Sequence, residues 1–221
     1  MIRPVFAVAA LVVVAAFLSG CAGRTPERAE ASGLHYLKVG QYERAVSDFE
    51  YAVDKEPGRF YSRLGLGEAL IGAGRPDAAR SHLEVAYTLR PNDSEAVEAL
   101  ARAMLESGDK NAMSKFLNGL ASRQQRVEDW MRYGRFSRAA GDMDEARRAF
   151  LTAAKLDKGM TVEPQVALAD LYEEVGDREN ALRRLRMALF LAPESDELKA
   201  RVRAMGETPG PTFAMRPEEA E

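Results

Sequence analysis

An all-α array of one repeated helical hairpin is the fold class that this 221-residue chain predicts, and two observations carry it. The first is a period: Gly40, Gly74, Gly108, Gly141 and Gly176 stand 34, 34, 33 and 35 residues apart. The second is a shared setting around each glycine. Four or five residues later comes a small residue (Ala45, Ala79, Ala112, Ala146, Ala181), then a bulky one (Phe49, Leu83, Phe116, Phe150, Leu185), then another small one (Ala52, Ala86, Gly119, Ala153, Ala188). A further small residue precedes each glycine by seven positions: Gly33, Gly67, Ala101, Gly134 and Ala169. Small, large and small at i, i+4 and i+7 mark one face of a helix.

The first element in chain order lies outside the array. Residues 1–20 contain Arg3 and then the apolar run Val5 to Leu18, fourteen residues long. A permanent membrane-spanning helix needs about 20. A basic residue ahead and small residues behind make this run a secretory signal peptide. Cys21 follows and is the only cysteine, so no intrachain disulfide is possible. Residues 21–25 form a short tether, which fully extended reaches roughly 15 to 20 Å.

Five hairpins come next, over about 26–59, 60–93, 94–126, 127–160 and 162–195. Within each, a small residue lets two antiparallel helices approach while the bulky residue fills the space beside it. The period glycines suit the left-handed residue that ends the first helix. Pro57, Pro91 and Pro193 stop the second helix before the next unit begins. The third hairpin departs from the pattern, because only three residues separate Gly108 from Ala112 and Gln124 takes the closing position. The fourth ends at Lys158 and is followed by a longer connection, Gly159 to Glu163.

Residues 195–205 read as a capping helix with Ser195 as N-cap, Leu198 and Val202 on one face, and Lys199, Arg201 and Arg203 outward. A repeat array needs such a polar-backed element over its last apolar edge. Residues 206–221 combine glycine and proline breaks with Glu218, Glu219 and Glu221, and read as a disordered acidic tail.

This period and its small/aromatic signature resemble the tetratricopeptide repeat family over residues 26–193. The resemblance implies a right-handed superhelical solenoid whose first helices line a concave groove for protein partners. The setting Leu18-Ser19-Gly20-Cys21 resembles the lipobox of bacterial lipoproteins. That likeness implies a diacylglyceryl group on the Cys21 thiol, cleavage before Cys21 and acylation (palmitate) of the new amino terminus. More than one acyl chain makes a stable anchor. Ala22 stands where the family's inner-membrane retention signal would place aspartate, which favours the outer membrane, facing the periplasm.

Composition excludes other classes. The formal charge is −3, and removing residues 1–20 takes away Arg3 and no acidic residue, leaving −4. A mildly acidic surface gives no footprint for nucleic acid. His35 and His82 fall in different repeats with no second ligand at helical spacing, so no metal site is expected. Phosphate-binding glycine loops, nucleophile elbows and paired cysteines are missing from the sequence. No cofactor, small-molecule substrate or catalytic activity is expected.

The groove is then the candidate site. Helical spacing puts Leu34, Leu37 and Lys38 outward in the first repeat and Tyr61, Leu64, Glu68 and Ile71 outward in the second. An apolar strip facing solvent points to a partner's side chains. In the fourth repeat Met131 accompanies Arg132, Arg135 and Arg138, a basic band answered by Asp170, Glu173 and Glu174 in the fifth. Trp130, on the helix of these arginines, is expected in the core. The charges either solvate a helix face or bind an acidic segment. The lysine and asparagine clamp for chaperone tails is absent, since Glu30 and Leu34 hold the matching places. The layout resembles lipoproteins of pilus and secretin assembly, and the alternative is an adaptor for peptidoglycan hydrolases or synthases.

Overall fold

The computed structural model describes residues 24–210 and 212–220, so the signal segment and Cys21 lie outside the described residues. Among the described residues there are eleven α-helices, one short 3-10 turn and no strand. They divide into two compact units, the first ending at Pro91 and the second beginning at Asn92.

Unit 1 holds two hairpins. Helix α1 (Pro26–Lys38) pairs with α2 (Tyr42–Lys55), and α3 (Phe60–Gly72) pairs with α4 (Pro76–Leu89). Unit 2 holds three: α5 (Ser94–Glu106) with α6 (Lys110–Gln124), α7 (Val127–Ala139) with α8 (Met143–Asp157), and α9 (Glu163–Glu174) with α10 (Arg178–Leu191). Helix α11 (Asp196–Ala204) follows.

Each first helix ends at a period glycine in the left-handed region, with φ between 72° and 82°. At Gly40, the amide of the next residue, Gln41, returns to the Tyr36 carbonyl at 2.9 Å, which closes the helix end. Asp109, Asp142 and Asp177 then cap the following helices by accepting the amides of Ala112, Glu145 and Asn180. Such caps are each worth about 1 kcal/mol.

The close packing is made by glycine against bulky side chains. A Cβ on Gly67 would overlap Leu83, and one on Gly134 would overlap Phe150. Phe49 is wedged between Gly33 of α1 and Gly65 of α3, so one ring ties two hairpins together.

The third hairpin corrects the expected register. Met113, Leu117, Leu120 and Ala121 are buried, whereas Ala112, Phe116 and Gly119 are only partly covered. Counted from the period glycine, Met113, Leu117 and Leu120 stand at the same offsets as Ala45, Phe49 and Ala52. Nothing is missing from this turn; a methionine takes the position that is alanine in the other four hairpins. The adjacent Ala112 imitated the small-residue signal one position early.

Ser195 caps α11, accepting the Leu198 amide at 3.3 Å, and Leu198 and Val202 bury against Ala169, Leu185, Ala188 and Leu189. The tail is not the disordered segment that its composition predicts. Residues 212–220 turn back over α10 as a strap ending in the 3-10 turn Glu218–Ala220. Phe213 and Ala214 pack on the α10–α11 core, and Pro217 sits against Gly159. Composition counts breaks and charges, and it does not see that the hairpins supply a complementary seat.

Candidate interaction site

On the first helices of unit 1, Leu34 and Tyr61 remain 39% and 53% exposed, with Lys38 exposed and Leu37 and Glu68 half-buried. Leu64 and Ile71, expected beside them, are core residues at 4% and 8%. Helix α3 touches α1 and α2 of the preceding hairpin as well as its own partner α4. Two sides are therefore covered, and the strip left to solvent is narrower than one amphipathic face. Arg90 lies over the Tyr61 ring at 4.8 Å and donates to its hydroxyl at 3.2 Å. Beneath the strip, Glu30 accepts from the Ser62 hydroxyl at 2.5 Å and pairs with Arg59 at 3.3 Å. Hydrogen bonds to Glu30 and Glu56 raise the Arg59 pKa further above its ordinary value.

The amino-terminal edge of unit 1 is pinned. Arg24 pairs with Asp48 and lies 4.4 Å over the Tyr51 ring, and the Tyr51 hydroxyl donates to the Arg24 carbonyl. His82, half-buried on α4, faces Arg63 at 2.9 Å through Nδ1. A guanidinium only donates, so Nδ1 accepts and the ring is neutral. Burial, then the Arg63 charge, holds the His82 pKa below its ordinary value.

In unit 2 the basic band separates into three roles. Arg132 is buried, bound to Asp129 at 2.6 Å, Ser94 at 2.6 Å and Glu98 at 3.3 Å. It is therefore a structural tie between α5 and α7, not a groove residue. Arg138 reaches Glu174 of the next hairpin at 2.5 Å. Arg135 remains exposed, with Glu98 at 3.5 Å. Asp170 and Glu173 both hold Arg201 of α11, at 2.7 and 2.9 Å. Burial works against the charge of Arg201, yet these two carboxylates raise its pKa overall. Met131 packs against the α8–α9 core, and Trp130 tilts onto Tyr133 with its centroid 6.2 Å away. The acidic end of the expected groove thus closes on the chain's own arginines.

The contacts of the strap escaped the sequence reading. Arg184 of α10 donates to Glu219 at 2.6 Å and to Gln165 of α9 at 2.9 Å, and Gln165 donates to Glu219 at 3.1 Å. Burial pushes the Glu219 carboxyl up, but the hydrogen bonds from Arg184 and its own backbone outweigh it, and its pKa lies below the ordinary carboxylate value. The visible signal was the basic run Arg183-Arg184-Leu185-Arg186 against Glu218-Glu219. No group of three or more metal-ligating side chains converges among the described residues.

Comparisons with known proteins agree on the repeat. Three family profiles described as tetratricopeptide repeat match residues 30–94, 70–130 and 166–200, together more than half of the chain. Cellulose synthase operon protein C of Xanthomonas axonopodis pv. citri (strain 306) is 28% identical over 165 residues, which are 69% of this chain and 11% of that protein. This chain thus spans about a ninth of that relative's length. Among solved structures, MamA protein matches with a TM-score of 0.57 at 19% identity, covering 82% of this chain and 96% of that one. A thermophilic TPR protein of Thermus thermophilus matches with a TM-score of 0.52 at 20% identity, over 82% of this chain and 98% of that one. These likenesses show the fold. The chain belongs to the tetratricopeptide repeat family, whose stacked hairpins serve as a protein–protein interaction scaffold.

Proposed function

We propose that this chain is a lipid-anchored, non-catalytic scaffold of the bacterial envelope. Cys21 tethers it to the outer membrane facing the periplasm, where it helps assemble an envelope machine such as a pilus or secretion complex. The observation that carries the scaffold reading is the exposed pair Leu34 and Tyr61 on the first helices of unit 1, which leaves apolar area in water that a partner would cover. The anchor rests on the lipobox-like sequence. Because Arg24 is fixed to α2, only Ala22 and Gly23 separate the pinned chain from Cys21, a reach of about 10 Å, shorter than sequence alone implied. Unit 1 would lie close to the lipid surface.

Two measurements test this. Metabolic labelling with a fatty-acid analogue should mark the wild type and leave Cys21→Ser unmarked; equal labelling removes the anchor. A photo-crosslinking residue at Tyr61 in the native envelope should capture secretin or pilin components. Capture of peptidoglycan hydrolases or synthases instead would replace the pilus reading with that of a cell-wall adaptor.

A further inference from the structure

The strap rests in a seat shaped for a short peptide. At one end the Arg186 guanidinium lies 5.3 Å from the Phe213 ring centroid, and its Nε donates to the Phe213 carbonyl at 2.8 Å. The Met215 amide donates to the Arg186 carbonyl at 3.0 Å. At the other end, six positions on, both Glu219 oxygens are held, Oε1 by Arg184 and Oε2 by Gln165. Arg184 and Glu219 leave only 9% and 8% of their side chains exposed, and Gln165 is fully buried.

Closing the array does not require this seat. Helix α11 already covers the apolar edge through Leu198 and Val202. A buried ion pair adds little net stability over apolar side chains of similar size, whereas it discriminates sharply between ligands. Open space also remains beside the strap. Clefts of about 360 and 370 Å³ flank Phe213, one lined by Leu189, Pro193 and Lys199, the other by Leu182 and Thr212. The connection from α11 is exposed and non-helical, begins at Gly206 with φ of 71° and includes Pro209 and Gly210. The strap can therefore leave without unwinding α11.

We propose that this seat on α10 and the start of α9 is a peptide-binding site separate from the apolar strip of unit 1. Residues 212–220 are its resident ligand, and it accepts from a partner protein an acidic segment carrying an aromatic residue about six positions ahead of a carboxylate. The resident strap makes that binding conditional. A tethered segment acts at an effective concentration on the order of millimolar, so an outside segment must displace it or find it loosened. This inference stands whether or not the anchor and the pilus reading hold.

The probe is a fluorescent peptide of residues 207–221, titrated against four full-length chains. Against the strap-weakened double variant Phe213→Ala/Glu219→Ala, binding should be at least tenfold tighter than against the wild type. Adding Arg184→Met to that variant should abolish the gain, and adding the half-exposed Arg186→Ala instead should weaken it if Arg184→Met fails to fold. A peptide carrying Glu219→Gln should bind at least tenfold more weakly. Equal binding to wild type and strap-weakened chains of equal helical content overturns the proposal, as does binding indifferent to both Arg184 and Arg186. A wild-type dimer that becomes monomeric in the strap-weakened variant also overturns it, because the ligand would then be the tail of a second copy.

Discussion

In unit 1, glycines join the hairpins: Gly65 and Gly72 of α3 let the rings of Phe49 and Tyr42 reach the backbone, and Phe49 touches Gly33 on its other side. In unit 2, helix α9 contains no glycine, and charged side chains bridge the corresponding distances: Arg132 to Glu98, Arg138 to Glu174, Arg201 to Asp170 and Glu173. Unit 1 has ion pairs between its hairpins as well, Arg59 to Glu27 and Glu30, so what sets it apart is the ring-into-glycine insertion that α9 cannot offer. The difference bears on function, because charges committed to neighbouring hairpins are withdrawn from partners. At its surface unit 1 keeps Leu34 and Tyr61, while unit 2 keeps Arg135 and the strap seat.

The largest expected effect tests the ion-paired half. Asp129 is buried between Arg126 at 2.7 Å and Arg132 at 2.6 Å. Asp129→Ala strips a buried cation of its main partner and should cost about 3 to 5 kcal/mol. Denaturant unfolding measures the loss, and residue-resolved hydrogen exchange should place it in α5 and α7. A cost below about 1 kcal/mol would show that Arg132 is satisfied without Asp129.

Next comes the glycine-joined half. Gly65→Val drives a branched side chain into Phe49, which cannot retreat because Gly33 lies against it. Overpacking of this kind costs about 1 to 3 kcal/mol. Its mark should appear in exchange rates of α1 to α3. Stability within error of wild type would mean that the ring has somewhere to go.

Acid separates the two units more gently. The folded-state pKa of His82 lies below its ordinary 6.5, so its contribution is complete above about pH 6.5 and fades as pH falls through the lower folded value. Glu219 is likewise depressed, from an ordinary 4.5, so the strap keeps its full contribution above that value and loses it as pH falls through the lower folded value. An NMR titration should therefore place the His82 midpoint below 6.5 and the Glu219 midpoint below 4.5. A midpoint at or above the ordinary value would contradict the assignment for that group.

The smallest effect is the most useful for the groove. Arg135→Glu should change stability by less than about 0.5 kcal/mol, since the side chain is largely exposed. It is a cleaner probe of an acidic partner than altering the whole band, because Arg132 is part of the core. Identical crosslinked partners from wild-type and Arg135→Glu chains would leave this arginine a solvated surface charge.

Much of the architecture was legible in one dimension because a repeat announces itself. The glycine period marked the left-handed turns, and Asp109, Asp142, Asp177 and Ser195 stood at the helix starts as their capping chemistry requires. The candidate groove was legible only in part. Leu34 and Tyr61 are at the surface, yet Leu64 and Ile71 are inside, because periodicity describes one helix and burial depends on how many neighbours surround it.

The sequence by itself determined what local chemistry determines: helices, turns, caps and the repeat they build, each decided within about forty residues. Only tertiary structure decided which charges face solvent, since Arg132 and Arg135 are three positions apart on one helix and differ solely in what packs against them. It also decided the fate of the tail. Residues 212–220 have too little apolar area to fold on their own, and they find their partners Arg184 and Gln165 at 35 and 54 residues' distance, where no local pattern reaches.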